Sequence, residues 1–228
     1  HDPPARADAV QPVPDLADGP YTLSDNGRTY TFRIRRGVRY APPVDREVRA
    51  RDFIYAVERQ LDPDQPSPGS PNPYARLITG AGDFAAGRAR SISGMRAPDS
   101  HTLQITLDRP ASDFPSLLTL PFFSPVPSGW ASKYRLGRDY GQHLAASGPY
   151  RIEQYLPGRR IDLVRNENWD PKTDPLRSAW VDQISVTIGH SESEIQDEIE
   201  GGGADLNLDA VSPPTGDQTI PVAMPGWS

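Results

Sequence analysis

The sequence predicts a mixed α/β fold of the α+β kind, in which strands and helices are interspersed along the chain. Three observations predict it. Residues 29–35 alternate apolar and polar side chains with the period of a strand, whereas residues 51–61 place Phe53, Ile54, Val57 and Leu61 at helical spacing. Residues 147–169 read SGPYRIEQYLPGRRIDLVRNENW: Tyr150, Ile152 and Tyr155 alternate, Pro157 and Gly158 turn the chain, and Ile161, Leu163 and Arg165 resume the period of two. That pattern is a β-hairpin.

Taken in order, residues 1–20 are rich in Pro, Ala and Asp and read as an extended arm. In the strand at 29–35, Arg33 and Arg35 share a face while Arg36 belongs to the following turn, which suggests a solvated edge strand. The helix at 51–61 stops before Asp62 and Pro63, where a proline-rich stretch to Pro73 removes backbone donors and prevents regular structure. A second strand is expected at 102–107. Ser112 can then cap a short helix that buries Phe114, Leu117 and Leu118. After the hairpin, residues 183–188 put Ile184, Val186 and Ile188 on one face of a strand. Residues 191–200 form a helix with Ile195 and Ile199 four apart, a stripe so narrow that it needs tertiary support. Gly201, Gly202 and Gly203 end that helix, residues 205–208 read as a strand, and the chain from 211 reads as tail. No internal repeat is evident.

Composition excludes several classes of function. The formal net charge of −6 opposes non-specific nucleic-acid binding, and Arg33, Arg35, Arg36 and Arg39 are only a local exception. No apolar run approaches the length of a bilayer-spanning helix. Cysteine is absent, which removes disulfides and thiolate metal sites. The four histidines, His1, His101, His143 and His190, are scattered without a partner at metal-ligand spacing, so no metal site is expected. There is no G-x-S-x-G nucleophile elbow. The glycine-rich residues 80–87 lack the Lys-Ser/Thr of a phosphate loop, and Glu192, Glu194, Asp197, Glu198 and Glu200 form the wet face of a helix. No catalytic residue and no cofactor is expected.

Several segments nonetheless carry a recognisable wording in a fixed order. They are LSDNGRTYTFRIRRGVRY (23–40), VRARDFIYAVERQLDP (48–63), SPNPYARLITGAGDFAAGRARSISGMRAPDSHTLQITLDRP (70–110), LPFFSPVP (120–127), the hairpin from Gly148 to Trp169, and EIEGGGADLNL (198–208). This series resembles the extracytoplasmic solute-binding proteins of ABC importers, family 5, the oligopeptide, dipeptide and nickel class. Three local departures stand out: Ala146 and Ser147 before the G-P-Y, Ala41-Pro42-Pro43 in place of a His-Asp-Gly turn, and Arg49 where a helix-capping Thr is usual. An arginine cannot accept from first-turn amides.

The resemblance implies a two-lobed protein that closes on its ligand, of which this chain is a first-lobe fragment without the initial strand and the second lobe. It further implies an arm at 1–22, a small peripheral subdomain at 23–123, a central part of the main lobe at 124–210 and a tail at 211–228. The implied function is capture of oligopeptides or dipeptides outside the cytoplasm and delivery to permease subunits, with no nucleic acid and no enzyme activity. Membrane association would come only through a lipid anchor upstream. Tyr74 corresponds to a cleft-facing tyrosine of oligopeptide-binding relatives, and Leu120, Phe122 and Phe123 belong to a cleft-lining segment. Two other classes remain: a ligand-sensing regulatory module on the same fold, and a hydrolase, which would require a paired nucleophile and base or two facing carboxylates.

Overall fold

The computed structural model describes residues 12–64, 74–135 and 138–208. Two antiparallel sheets organise them. The first contains β1 (Thr22–Ser24), β2 (Thr29–Arg33), β3 (Met95–Asp99) and β4 (Thr102–Thr106) in the order β1-β2-β4-β3. The second contains β5 (Tyr150–Leu156), β6 (Arg160–Arg165) and β7 (Gln183–Thr187) in sequence order.

The register of the first sheet follows from its pattern. Tyr30 lies opposite Ile105, Ile105 opposite Met95, and Phe32 opposite Leu103, so the apolar residues of three strands share one face. Against that face packs α1 (Ala50–Leu61), which buries Ile54, Val57 and Leu61 and half-buries Phe53, the stripe expected from spacing. The start of α1 is fixed from within. Asp52, buried in the first turn, accepts from the Arg49 amide at 2.9 Å and from both Nη atoms of Arg46 at 2.8 and 2.7 Å. This is the half of a capping box that does not need an acceptor at position 49.

The arginine-bearing strand is not an edge. β2 lies between β1 and β4, and the arm continues the pairing beyond β1, with Ala17 bridged to Ile34 and the Arg35 amide donating to Leu16 at 2.8 Å. Arg35 itself donates to the carbonyls of Asp15 and Ala17. Charged residues tolerate this interior position because their side chains rise from the sheet face while only the backbone takes part in the ladder. Residues 1–11 of the expected arm, most of the proline-rich stretch and the tail lie outside the described residues.

A short helix, α2 (Ala81–Ala85), precedes β3, and three more connect the sheets: α3 (Phe114–Leu117), α4 (Ser128–Ala131) and α5 (Arg138–Gly141). α3 buries Phe114 fully and Leu117 partly, but its N-cap is Asp113 in place of the expected Ser112, and no side chain caps it. A hydrogen bond from the Phe114 amide to the Ala111 carbonyl at 3.2 Å closes the preceding turn instead.

The hairpin of β5 and β6 forms as expected. Gly158 adopts φ +71° after Pro157, and the Arg159 amide returns to Leu156 at 2.9 Å, the arrangement that Pro-Gly favours. On β6, Asp162 accepts from the Ser185 hydroxyl at 2.8 Å and from Arg160 at 2.7 Å. Just past the hairpin, Asn166 donates to Gly148 and Asn168 donates to Tyr40 and Asp45, while the Ala41 amide donates to Ala146 at 2.7 Å. The Asn168 and Ala41 bonds tie the loop after β2 to the segments that flank the hairpin.

α6 (Glu192–Glu200) begins with a capping box, in which the Ser191 amide donates to Glu194 at 2.7 Å and the Ser191 hydroxyl accepts from the Glu194 amide. It buries no residue fully. The strand expected at 205–208 does not form; Leu206 and Leu208 are exposed and the segment pairs with neither outer edge of the second sheet. Four alternating residues become a strand only where a neighbouring edge takes their backbone hydrogen bonds.

Removing the Asp52 carboxylate leaves the Arg49 amide without an acceptor and the Arg46 fork with only the Glu47 carbonyl. Because Arg46 is partly solvated, Asp52→Ala is expected to cost about 2 kcal/mol in urea unfolding, below the range for a fully buried pair. Acid should act on a wider set. Hydrogen bonds from backbone amides or hydroxyls hold the carboxyls of Glu47, Asp99, Asp162 and Glu194 below their ordinary values. A lowered folded pKa contributes stability that is present above the unfolded value and lost as pH falls through the folded one. Tm should therefore be nearly level from pH 7 to about 5 and fall below about pH 4, the ordinary carboxylate range. A melting series across that interval checks it.

Candidate functional site

The four aromatic and aliphatic candidates come together around one turn. Tyr74 directly precedes a 3₁₀ turn at Ala75–Leu77, and its ring stacks on Phe122 with centroids 6.3 Å apart and planes at 24°. Phe122 lies on a second 3₁₀ turn, Pro121–Phe123, and meets Phe123 edge-on at 6.0 Å. Phe123 in turn meets Phe114 edge-on at 6.4 Å, and Phe114 packs on Tyr30 at 5.3 Å. The result is a ladder of rings from solvent to core.

Exposure grades along this ladder. Tyr74 is 41% exposed, Phe122 is half-buried, and Phe123 is 5% exposed within the main core. Leu120 is half-buried against the same core. A turn with three residues per revolution cannot send successive side chains to one side, so Phe122 and Phe123 diverge. Tyr74 and Phe122 thus present ring surface outward, and Phe123 supports them from below.

The turn divides two concavities. One, of about 600 Å³, is lined on this side by Phe122, with Gln60, Arg59 and Tyr140 from around the end of α1. The other, of about 560 Å³, is apolar and is lined by Leu120 and Phe123 together with Phe32, Phe53 and Leu118. Tyr74 stands outside both linings.

The last turn of α1 holds the Phe122 turn in place. Gln60 donates from its amide to the Phe122 carbonyl and to Ala56, its own helix neighbour, at 3.1 Å. Next to it, Arg59 is 4% exposed, donates to the carbonyls of Ala131 and Tyr134, and lies 4.3 Å from the centroid of the Tyr140 ring. Burial pushes the Tyr140 hydroxyl above its ordinary pKa, although the nearby Arg59 charge partly offsets this. On the opposite wall Arg177 pairs with Asp15 at 2.7 Å and Asp174 at 3.0 Å, and the Trp169 indole donates to Asp174 at 2.9 Å. These hydrogen bonds, that to Asp15 above all, hold the Arg177 guanidinium well above its ordinary pKa.

Sequence reasoning missed Gln60, Arg59 and the Asp15–Arg177–Asp174 clasp. Arg59 had one available signal, since it is a charged residue beside the apolar stripe of a helix that must pack closely. In the clasp only Asp174 and Arg177 are close in sequence, three residues apart, while Asp15 is separated from both by most of the chain. Among the described residues no group of three or more His, Asp or Glu side chains could hold a metal ion, and no helix is long and apolar enough to cross a membrane.

A profile described as "Bacterial extracellular solute-binding proteins, family 5 Middle" matches residues 11–220. The chain belongs to that family. Among curated relatives, the periplasmic oligopeptide-binding protein OppA of Salmonella typhimurium is 30% identical over 145 residues, 63% of this chain and 26% of that protein. The di/tripeptide-binding protein 1 of Pseudomonas aeruginosa is 27% identical over 206 residues, 86% of this chain and 36% of that protein. Of solved structures, the clavulanic acid biosynthesis oligopeptide binding protein 2 superposes with a TM-score of 0.77 at 34% identity, covering 88% of this chain and 36% of that one. A Bacillus anthracis oligopeptide ABC transporter substrate-binding domain shares the fold, with a TM-score of 0.72 at 22% identity over 85% of this chain and 36% of that one. This chain of the family 5 fold therefore spans about a quarter to a third of the length of these relatives.

The aromatic ladder predicts a split between stability and surface roles. Phe123→Ala should cost about 3 kcal/mol or more, as core phenylalanine truncations do, whereas Tyr74→Ala should cost under about 1 kcal/mol. Urea unfolding of the two variants measures the difference directly.

Proposed function

We propose that this chain is part of the first lobe of a solute-binding protein that captures oligopeptides or dipeptides outside the cytoplasm and delivers them to the permease subunits of an ABC importer. The observation that carries this reading is the exposed Tyr74 ring stacked on Phe122 beside a cavity of about 600 Å³. The relatives' names, oligopeptide-binding and di/tripeptide-binding, support it. A protein that accepts many peptides holds their common backbone through hydrogen bonds and gives the variable side chains apolar or hydrated room. Tyr74 suits such a role, since its ring packs while its hydroxyl can serve as donor or acceptor.

In this reading residues 23–123 form the peripheral subdomain and residues 124–210 part of the main lobe, with Tyr74 and Phe122 on the side that meets the ligand. Leu120 and Phe123 shape that side from beneath. The chain binds its ligand without catalysis, and a lipid anchor elsewhere in the longer protein would keep it at the membrane. Closure of a second lobe contributes affinity only when both lobes touch the ligand.

Calorimetry with a random peptide pool tests this on the chain and on the longer protein. Loss of one lobe's contacts, and of the water exclusion that strengthens the rest, should weaken the chain by about 100-fold or more. In the longer protein Tyr74→Ala should weaken binding about tenfold, the equivalent of one lost interfacial ring. Submicromolar affinity of the chain alone, or an unchanged affinity for Tyr74→Ala, would overturn the assignment.

A further inference from the structure

Among the described residues, three of the four outer sheet edges carry a feature that discourages pairing, and the fourth carries none. β1 is three residues long. β3 contains Pro98 and loses register between Arg96 and Asp99, and β5 loses register between Ile152 and Gln154, where Glu153 intervenes. Short strands, prolines, charges and bulges all keep an edge from serving as a template for another chain. β7 reads QISVT, with no charge, no proline and an unbroken register to β6. Among the described residues no strand pairs with its outer edge.

The pairing to β6 fixes which groups that edge presents. The Ile188 amide donates to the Arg159 carbonyl at 2.8 Å, so by the antiparallel alternation Ile184, Val186 and Ile188 direct their amides and carbonyls to β6. The backbone groups of Gln183, Ser185 and Thr187 therefore point away from the sheet, and all three residues are exposed. Their neighbours Ile184 and Val186 lie on the apolar face, opposite Leu163 and Ile161. Just upstream, Trp180 is 80% exposed, which leaves the approach to this edge open and apolar.

A second copy of the chain fits this edge by symmetry. Two β7 strands related by a two-fold axis run antiparallel, and with Ser185 on the axis Gln183 faces Thr187 of the other copy. Every residue whose groups point outward then meets another of the same set. Ile184 lies beside Val186 of the other copy on the apolar face, and no residue of the strand brings a like charge to its opposite. A register displaced by one residue sets outward groups against inward ones and loses the bonds, and a displacement by two leaves part of the strand unpaired. We propose that the chain forms a two-fold dimer through β7, centred on Ser185, which joins two copies of the second sheet into one.

Sedimentation equilibrium on the 228-residue chain tests it and should show a concentration-dependent exchange between monomer and dimer, with no larger species. Thr187→Pro removes an outward amide without touching the ladder to β6. It should weaken the dimer about tenfold or more, because symmetry removes the bond twice. The chain has no cysteine, so Ser185→Cys reports the axis by itself. Residues that exchange both bonds in an antiparallel pair lie about 5.5 Å apart, within disulfide reach, so mild oxidation should give a covalent dimer. Thr187→Cys stands more than about 10 Å from its equivalent in the other copy and should not cross-link. Association untouched by Thr187→Pro, with no cross-link from Ser185→Cys, would place the contact elsewhere and overturn the inference. So would a chain that stays monomeric up to about 1 mM, the weakest affinity that would count as specific pairing. In that case protection of the Ser185 amide from hydrogen exchange would give the edge to another segment of the same chain, and free exchange would leave it bare.

Discussion

One buried carboxylate sets the frame on which the candidate site depends. Asp52 fixes where α1 begins by accepting from the Arg46 fork and the Arg49 amide, and its carbonyl accepts from the Val126 amide at 3.1 Å. The first turn of the helix is thereby tied to the segment that follows the Phe122 turn. Because an α-helix is rigid over three turns, a fixed start also places the residues at its far end. Those residues are Arg59 and Gln60, whose side chains grip the carbonyls of Phe122, Ala131 and Tyr134. The stretch from Pro121 to Tyr134 holds only a 3₁₀ turn and the single-turn α4, so these tethers help decide its path.

The same economy appears in the aromatic ladder. Tyr30 belongs to the central strand β2, Phe114 to α3, Phe123 and Phe122 to one turn, and Tyr74 to the loop after α1. Edge-on and stacked rings favour particular geometries, so the packed end of the series orients the exposed end. A surface pair supported in this way loses less side-chain freedom on meeting a ligand than two unsupported rings would. Core packing and ligand contact are in this sense one structure, with Phe123 as the point where the role changes.

The junction between the sheets explains why the most recognisable wording of the sequence lies in the hairpin and its exit. Asn166 folds the chain back onto Gly148, and Asn168 reaches the Tyr40 carbonyl and Asp45 in the loop that follows β2 of the first sheet. An asparagine amide can donate and accept at once, which neither an acid nor an amine of that size can do. The N-x-N spacing after the second hairpin strand is therefore a joint as well as a turn. The clasp of Asp15, Arg177 and Asp174 makes a second, charged link between the arm and the loop before β7.

The sequence by itself determined the elements whose signals are local: the stripe of α1, the alternation of β2 and β4, the Pro157–Gly158 hairpin and the helix α6 with Ile195 and Ile199 four apart. Each depends on residues within a few positions of one another, where period and turn chemistry act directly. Family wording added Tyr74 and the 120–123 segment as site candidates. Tertiary structure alone decided that β2 is interior, that residues 205–208 find no partner strand, and that Asp113 takes the cap expected of Ser112. It also decided that Phe122 faces outward while Phe123 is buried, and that Arg59 enters the cavity wall without an opposing carboxylate. Those outcomes depend on which distant segments supply hydrogen-bond partners, ring neighbours and charges, and local spacing carries no information about segments that meet only after folding.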